Sequence, residues 1–177
     1  MKKLLLLLCP LTLIFMFSSC DIELGGDMIW DFVNPDIIMT VKDKSGNDLL
    51  DPEFEGNILD SGITVDFAGD VYELKTGEND PEYTNVSRAT YTDWKGLRTS
   101  FSDYFQTNLM LFGQFKGDGE HHKKKFIINW GDGSKDTVEF DLYITWNKRH
   151  TNPTSHWKIY LNGKEYNKGG LKIDFVK

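Results

Sequence analysis

Between Thr137 and Trp146 apolar and polar side chains alternate without a break. Val138, Phe140, Leu142, Ile144 and Trp146 take one set of positions, and Thr137, Glu139, Asp141, Tyr143 and Thr145 take the other. On an extended chain successive side chains point to opposite faces, so period two gathers all five apolar groups on one surface. A helix would scatter them around its axis. The pattern fits a strand with one buried face and one wet face, and such strands belong to antiparallel sheets.

Shorter runs repeat the signal. Ile37, Met39 and Val41 alternate ahead of a polar turn over 42–48. Ile63, Val65 and Phe67 precede Ala68-Gly69-Asp70, and Val71 to Leu74 are expected to return as a hairpin. Phe105, Thr107, Leu109, Leu111 and Phe115 are expected on one face of a longer strand, and Phe126, Ile128 and Trp130 on another. Trp157, Ile159 and Leu161 lead into Asn162-Gly163, a strong hairpin dipeptide. Leu171, Ile173 and Phe175 make a last strand. Residues 76–100 are the least regular and read as a long loop, with one strand near 87–92. No stretch sustains helical periodicity. The expected fold is all-β, an antiparallel β-sandwich of about 8–10 strands, with a barrel as the alternative. Trp130, Trp146 and Trp157 fall in phase with core residues and are expected inside it.

The N-terminus has a different logic. Lys2 and Lys3 are followed by an apolar run from Leu4 to Phe17, broken only by Pro10 and Thr12, then by Ser18, Ser19 and Cys20. Positive charge, apolar run and small residues, in that order, form a secretory signal peptide. The run is short for a stable membrane span, which needs about 20 residues. Phe17-Ser18-Ser19-Cys20 resembles the lipobox of bacterial lipoproteins, with Phe17 standing where an aliphatic residue is usual. The resemblance implies a diacylglyceryl thioether on Cys20, cleavage before it, and commonly a third acyl chain on the new amino group. Two or more chains give lasting attachment where one gives only marginal binding. Asp21, Glu23 and Asp27 then resemble the acidic surface-export signal of Bacteroidetes lipoproteins. Three segments follow: 1–19 as signal peptide, 20–34 as acidic tether with Gly25-Gly26 as its flexible point, and 35–177 as the β-sandwich domain. The expected location is the cell envelope, lipid-anchored at the outer membrane on its periplasmic or cell-surface face.

Cleavage before Cys20 leaves 158 of the 177 residues, enough for one domain. Cys9 and Cys20 are the only cysteines, one discarded and one lipidated, so the domain has no disulfide to draw on. Formal charge is −7, or −9 without Lys2 and Lys3. That balance argues against nucleic acid, which requires a basic stripe, and against general adhesion to anionic lipid. Aromatic content of 14%, with all five Trp in the mature part, supplies the bulk for a core.

Catalytic motifs are scarce. There is no Gly-x-Ser-x-Gly elbow, and Gly117-x-Gly119 lacks the strand-to-helix setting of a phosphate loop. Asn129-Trp130-Gly131-Asp132-Gly133-Ser134 resembles the WGDGS turn of PKD-type immunoglobulin-like domains, which implies an immunoglobulin-like sandwich. The same residues read locally as a hairpin turn, since glycine allows positive φ and Asp132 can bond the turn backbone. Asp132, Ser134 and Asp136 open like an EF-hand loop, but Thr137 replaces its glycine and Tyr143 its glutamate. Asp132 and Asp136 are then the residues a looser calcium site would use; no other cofactor is expected. His121 and His122, adjacent on an extended chain, point to opposite faces and suit a solvated loop beside Lys123, Lys124 and Lys125. His150 and His156 flank Asn152-Pro153 in another loop. Asp136-Thr137-Val138 resembles the O-glycosylation site of Bacteroidetes secreted proteins.

Exposed aromatics can stack on sugar rings. Trp30 and Trp94, outside the regular strands, together with Tyr83, Tyr91 and Tyr104, are the candidates for such a surface. The expected role is a non-enzymatic binding or structural module for a glycan or an envelope protein, held to the bilayer by the Cys20 acyl chains. The rival is a hydrolase of polysaccharide or envelope polymer with carboxylates drawn from separate strands; a third reading is a subunit that pairs by sheet-edge addition.

Overall fold

A computed structural model of the chain describes residues 30, 32–76, 96–168 and 170–177. The described residues hold ten strands: β1 Ile37–Lys42, β2 Thr64–Phe67, β3 Asp70–Glu73, β4 Leu97–Ser102, β5 Thr107–Phe112, β6 His121–Asn129, β7 Lys135–Trp146, β8 Pro153–Leu161, β9 Lys164–Glu165 and β10 Lys172–Val176. They form two sheets, one ordered β10-β1-β5-β4 and the other β3-β2-β6-β7-β8-β9. By contact density the chain divides into two units. One is Asp31–Thr145 with Pro153–Lys177, and the other is Met1–Trp30 with Trp146–Asn152.

The first unit is a β-sandwich. Ile37, Met39 and Val41 of β1 share a face with Met110 and Phe112 of β5, Leu97 of β4, and Ile173 and Phe175 of β10. Val65, Phe126, Ile128, Val138, Phe140 and Ile159 supply the facing layer, and all these residues are buried. Rings interlock between the layers: Phe112 meets Phe126 at 4.7 Å, Phe115 meets Phe140 at 4.7 Å, and Trp130 meets Phe175 edge-on at 5.0 Å. Edge-on and tilted contacts suit ring quadrupoles and fill the interlayer space tightly.

Two hairpins turn where expected. Ala68 and Gly69 join β2 to β3, and Asn162 and Gly163 join β8 to β9, all four at positive φ. That pair of left-handed residues gives the turn twist which matches flanking strands.

Several expectations need correcting. The sandwich is not wholly antiparallel, because β1 and β10 pair in parallel, Ile38 beside Lys172 through Lys42 beside Val176. Nearly the whole chain separates these strands, so no short crossover has to reverse direction between them. The strand expected over 105–115 is shorter, and its core face is the opposite one. Gln106 takes positive φ in a turn, β5 begins at Thr107, and Met110 and Phe112 enter the core while Leu109 and Leu111 are buried on the far face. With both faces apolar, alternation could not choose between them. The irregular segment 76–100 ends in β4. Its pattern was hidden by Arg98, a cation buried at 2.6 Å from the Asp36 carboxylate. The strand expected over 87–92 lies outside the described residues.

Trp130 is buried as expected, but Trp146 is 39% exposed and Trp157 is 49% exposed. Both keep the phase of their strands. Burial along β7 runs through Val138, Phe140 and Leu142 and then fades, so phase alone does not place a ring inside.

The described part of the second unit is Trp30 and the connection out of β7. Trp30 meets Trp146 edge-on with ring centroids 6.3 Å apart.

Candidate functional site

Beside β4 an open groove of about 470 Å³ is bounded by Leu50, Leu59, Asn57, Asp60, Phe101 and Asn108, with Thr99 and Ser100 along its length. One wall is strand and the other is the segment between β1 and β2. That segment is a chain of turns: Asp51 accepts from the Glu53 amide at 2.9 Å, Asn57 donates to the Phe54 carbonyl at 2.8 Å, and the Ser61 amide donates to the Ile58 carbonyl at 3.1 Å. Short polar side chains bonding nearby backbone hold such turns without regular structure.

Asp48 fixes this segment to the sheet. Its carboxylate accepts from Thr107 Oγ1 at 2.8 Å, from the Asn108 amide at 2.9 Å, from Asn108 Nδ2 at 3.2 Å and from the Leu50 amide at 2.9 Å. Partial burial pushes the Asp48 carboxyl upward, but these bonds outweigh it and hold the group below the usual aspartate range. An ionised carboxylate thus determines where Asn57 and Asp60 stand relative to Phe101. Phe101 follows Leu97 and Thr99 on the inward face of β4 yet is 56% exposed. It presents a ring to the groove among amides, hydroxyls and one carboxylate, a lining that can stack on an apolar face and hydrogen-bond hydroxyls around it.

Cys20, expected as the lipidation site, and Tyr83, Tyr91 and Trp94, expected to bind, lie outside the described residues. Trp30 is 40% exposed in the second unit. Tyr104 is 87% exposed on the turn joining β4 to β5, 4.9 Å from the Phe105 ring, and does not line the groove. Phe105 in turn lies under Lys172 Nζ at 5.1 Å. Phe101, Asn57, Asp60 and Asn108 were not singled out from sequence. The phase shared by Leu97, Thr99 and Phe101 was the one available signal, and its first two residues sat in the segment read as a loop.

The Asn129–Ser134 stretch is a turn between β6 and β7. Asp132 accepts from the Ser134 amide at 2.7 Å and from Ser134 Oγ at 2.6 Å, and these bonds lower its pKa. Gly131 has φ of +78°, and a Cβ there would collide with the Ser61 carbonyl oxygen, so glycine is required. Trp130 Nε1 donates to Asp136 Oδ2 at 2.7 Å, and Asn162 Nδ2 donates to Asp136 Oδ1 at 2.7 Å. Lys177 Nζ lies 4.2 Å above the Trp130 ring, 3.8 Å from Asp136, and donates to Ser134 Oγ at 2.8 Å. The two aspartates named for a calcium site thus hold an indole, an amide and a turn, with a lysine ammonium beside them. Among the described residues no group of three or more His, Cys, Asp or Glu is placed to hold a metal ion.

The loops expected around the histidines are in part strand, since His121 and His122 open β6 and His156 lies in β8, but His121 and His122 do face opposite ways. The His121 ring lies 5.6 Å from Phe115, while His122 lies 4.7 Å from Tyr143 on the other face. His156 stacks on Tyr143 at 4.9 Å and shares a 2.8 Å hydrogen bond with Thr145 Oγ1. His150 lies near Trp146, 6.1 Å between rings.

No family model, curated protein or solved structure matches this chain. The reading of function therefore stands on the chain's own residues.

Proposed function

We propose that this chain is a lipid-anchored, extracytoplasmic binding module whose groove beside Phe101 takes a polyhydroxylated ligand such as a glycan segment. The observation that carries the reading is the composition of that groove: one half-exposed aromatic ring set among Asn57, Asp60, Asn108, Thr99 and Ser100. Sugar rings offer apolar C–H faces and hydroxyl edges, and this lining answers both. The groove is open along one side, which suits a polymer more than an enclosed small molecule. Its described lining carries one carboxylate, Asp60, where glycosidic cleavage ordinarily uses two. That favours retention of the ligand over hydrolysis. The anchor half of the reading rests on Phe17-Ser18-Ser19-Cys20 and the apolar run before it.

The test is a glycan array followed by calorimetry on the hits, with Phe101→Ala and Asp60→Asn alongside. Phe101→Ala is expected to weaken binding about tenfold, about 1.4 kcal/mol, with the fold unchanged. Glycan binding insensitive to both substitutions, or none at all, overturns the groove assignment. Shortened products in the same incubations would move the reading to the hydrolase.

A further inference from the structure

We propose that Trp30, Trp146 and the loop after Trp146 form a second membrane contact, seated in the headgroup interface of the bilayer that carries the Cys20 lipid. The inference rests on the anchored reading above and adds to it a defined protein surface.

The surface is built. Trp30 and Trp146 meet edge-on, and each is about 40% exposed. Asn147 folds the loop: its Oδ1 accepts from the Thr151 amide at 2.9 Å and the Asn152 amide at 3.4 Å, its Nδ2 donates to Thr151 Oγ1 at 3.0 Å, and its carbonyl accepts from the His150 amide at 3.0 Å. His150 takes positive φ to close the turn. These bonds hold the turn, and Lys148 and Arg149 within it are exposed, two and three residues after Trp146. Half-exposed indoles with adjacent cations match the headgroup region, where amphipathic rings concentrate and phosphates accept from lysine and arginine.

Chain length selects the occupant. Trp30 is ten residues beyond Cys20. Ten residues reach at most about 35 Å, so a lipidated Cys20 holds this surface within that distance of the bilayer at all times. Contact is then intramolecular and needs little intrinsic affinity.

The experiment uses the native lipidated protein, its Cys20 acylation verified by mass, in vesicles whose acyl chains are brominated near the headgroups. Wild type is expected to lose indole fluorescence to the bromines. Trp30→Ala/Trp146→Ala should abolish that loss with an unchanged far-UV spectrum. Lys148→Glu/Arg149→Glu, exposed and harmless to the fold, should reduce it, more so in anionic vesicles. Acylated wild-type protein quenched no more than the double-tryptophan variant overturns this inference and leaves the anchor standing. A bare Cys20 sulfur overturns the anchor, and this inference with it.

Discussion

Gly131 and Gly133 occupy one turn, both at positive φ, but they do different work. An added Cβ at Gly131 meets the Ser61 carbonyl, whereas at Gly133 nothing lies within 4 Å. Left-handed backbone alone costs about 1–2 kcal/mol in a residue with a Cβ. Gly133→Ala should therefore lower stability by about 1–2 kcal/mol, and Gly131→Ala by about 3 kcal/mol or more, since backbone must move as well. Urea denaturation of the two variants measures the difference, and equal losses would mean that the Ser61 contact does not matter. Sequence made the turn legible through its glycines. It could not show which glycine was pressed against a segment 70 positions earlier. The Trp130 indole bond to Asp136 was hidden for a similar reason, because two residues six apart met only through the turn between them.

Among the strands, legibility depended on how differently the two faces were wetted. β7 was plain because Val138, Phe140 and Leu142 are buried while Glu139 and Asp141 are not. β5 was misread because Leu109, Met110, Leu111 and Phe112 are all buried. β4 was missed because its interior cation is neutralised by Asp36 rather than by anything nearby in the chain. The groove shared this difficulty: Asn57, Asp60, Phe101 and Asn108 come from three separated segments, which Asp48 draws together. At this scale β10 has a measurable role. Phe175 is buried against Trp130, and β10 caps the sheet's edge, where the Asp174 amide donates to Tyr166 Oη at 2.9 Å. Phe175→Ala should cost about 3–5 kcal/mol, the usual range for an emptied aromatic core site. Thermal or urea unfolding checks it, and a loss under 1 kcal/mol would place Phe175 outside the cooperative core.

For the molecule as a whole, acid is the expected weakness. Lys172 bonding at 2.7 Å holds Asp174 below the usual aspartate range against the opposing effect of burial, with Thr40 assisting. Asp48 is lowered as well, its hydrogen bonds outweighing burial. A carboxyl depressed on folding stabilises the native state above its unfolded pKa of about 4, and loses that contribution as pH falls through the lower folded value. Stability to urea should be level from about pH 7 to pH 5 with respect to these two groups and decline below about pH 4. Asp48→Asn should begin less stable and decline less steeply. An identical decline in the variant would remove Asp48 from the account.

One feature of the first sheet bears on the timing of folding. β1 and β10 are neighbours, yet Thr40 and its partner Asp174 stand 134 positions apart. Until β10 has been made, β1 lacks the strand that completes one of its sides in the layer carrying Met39 and Val41. That pairing closes a loop of more than 120 residues, and contacts so distant along a chain are among the slower ones to form.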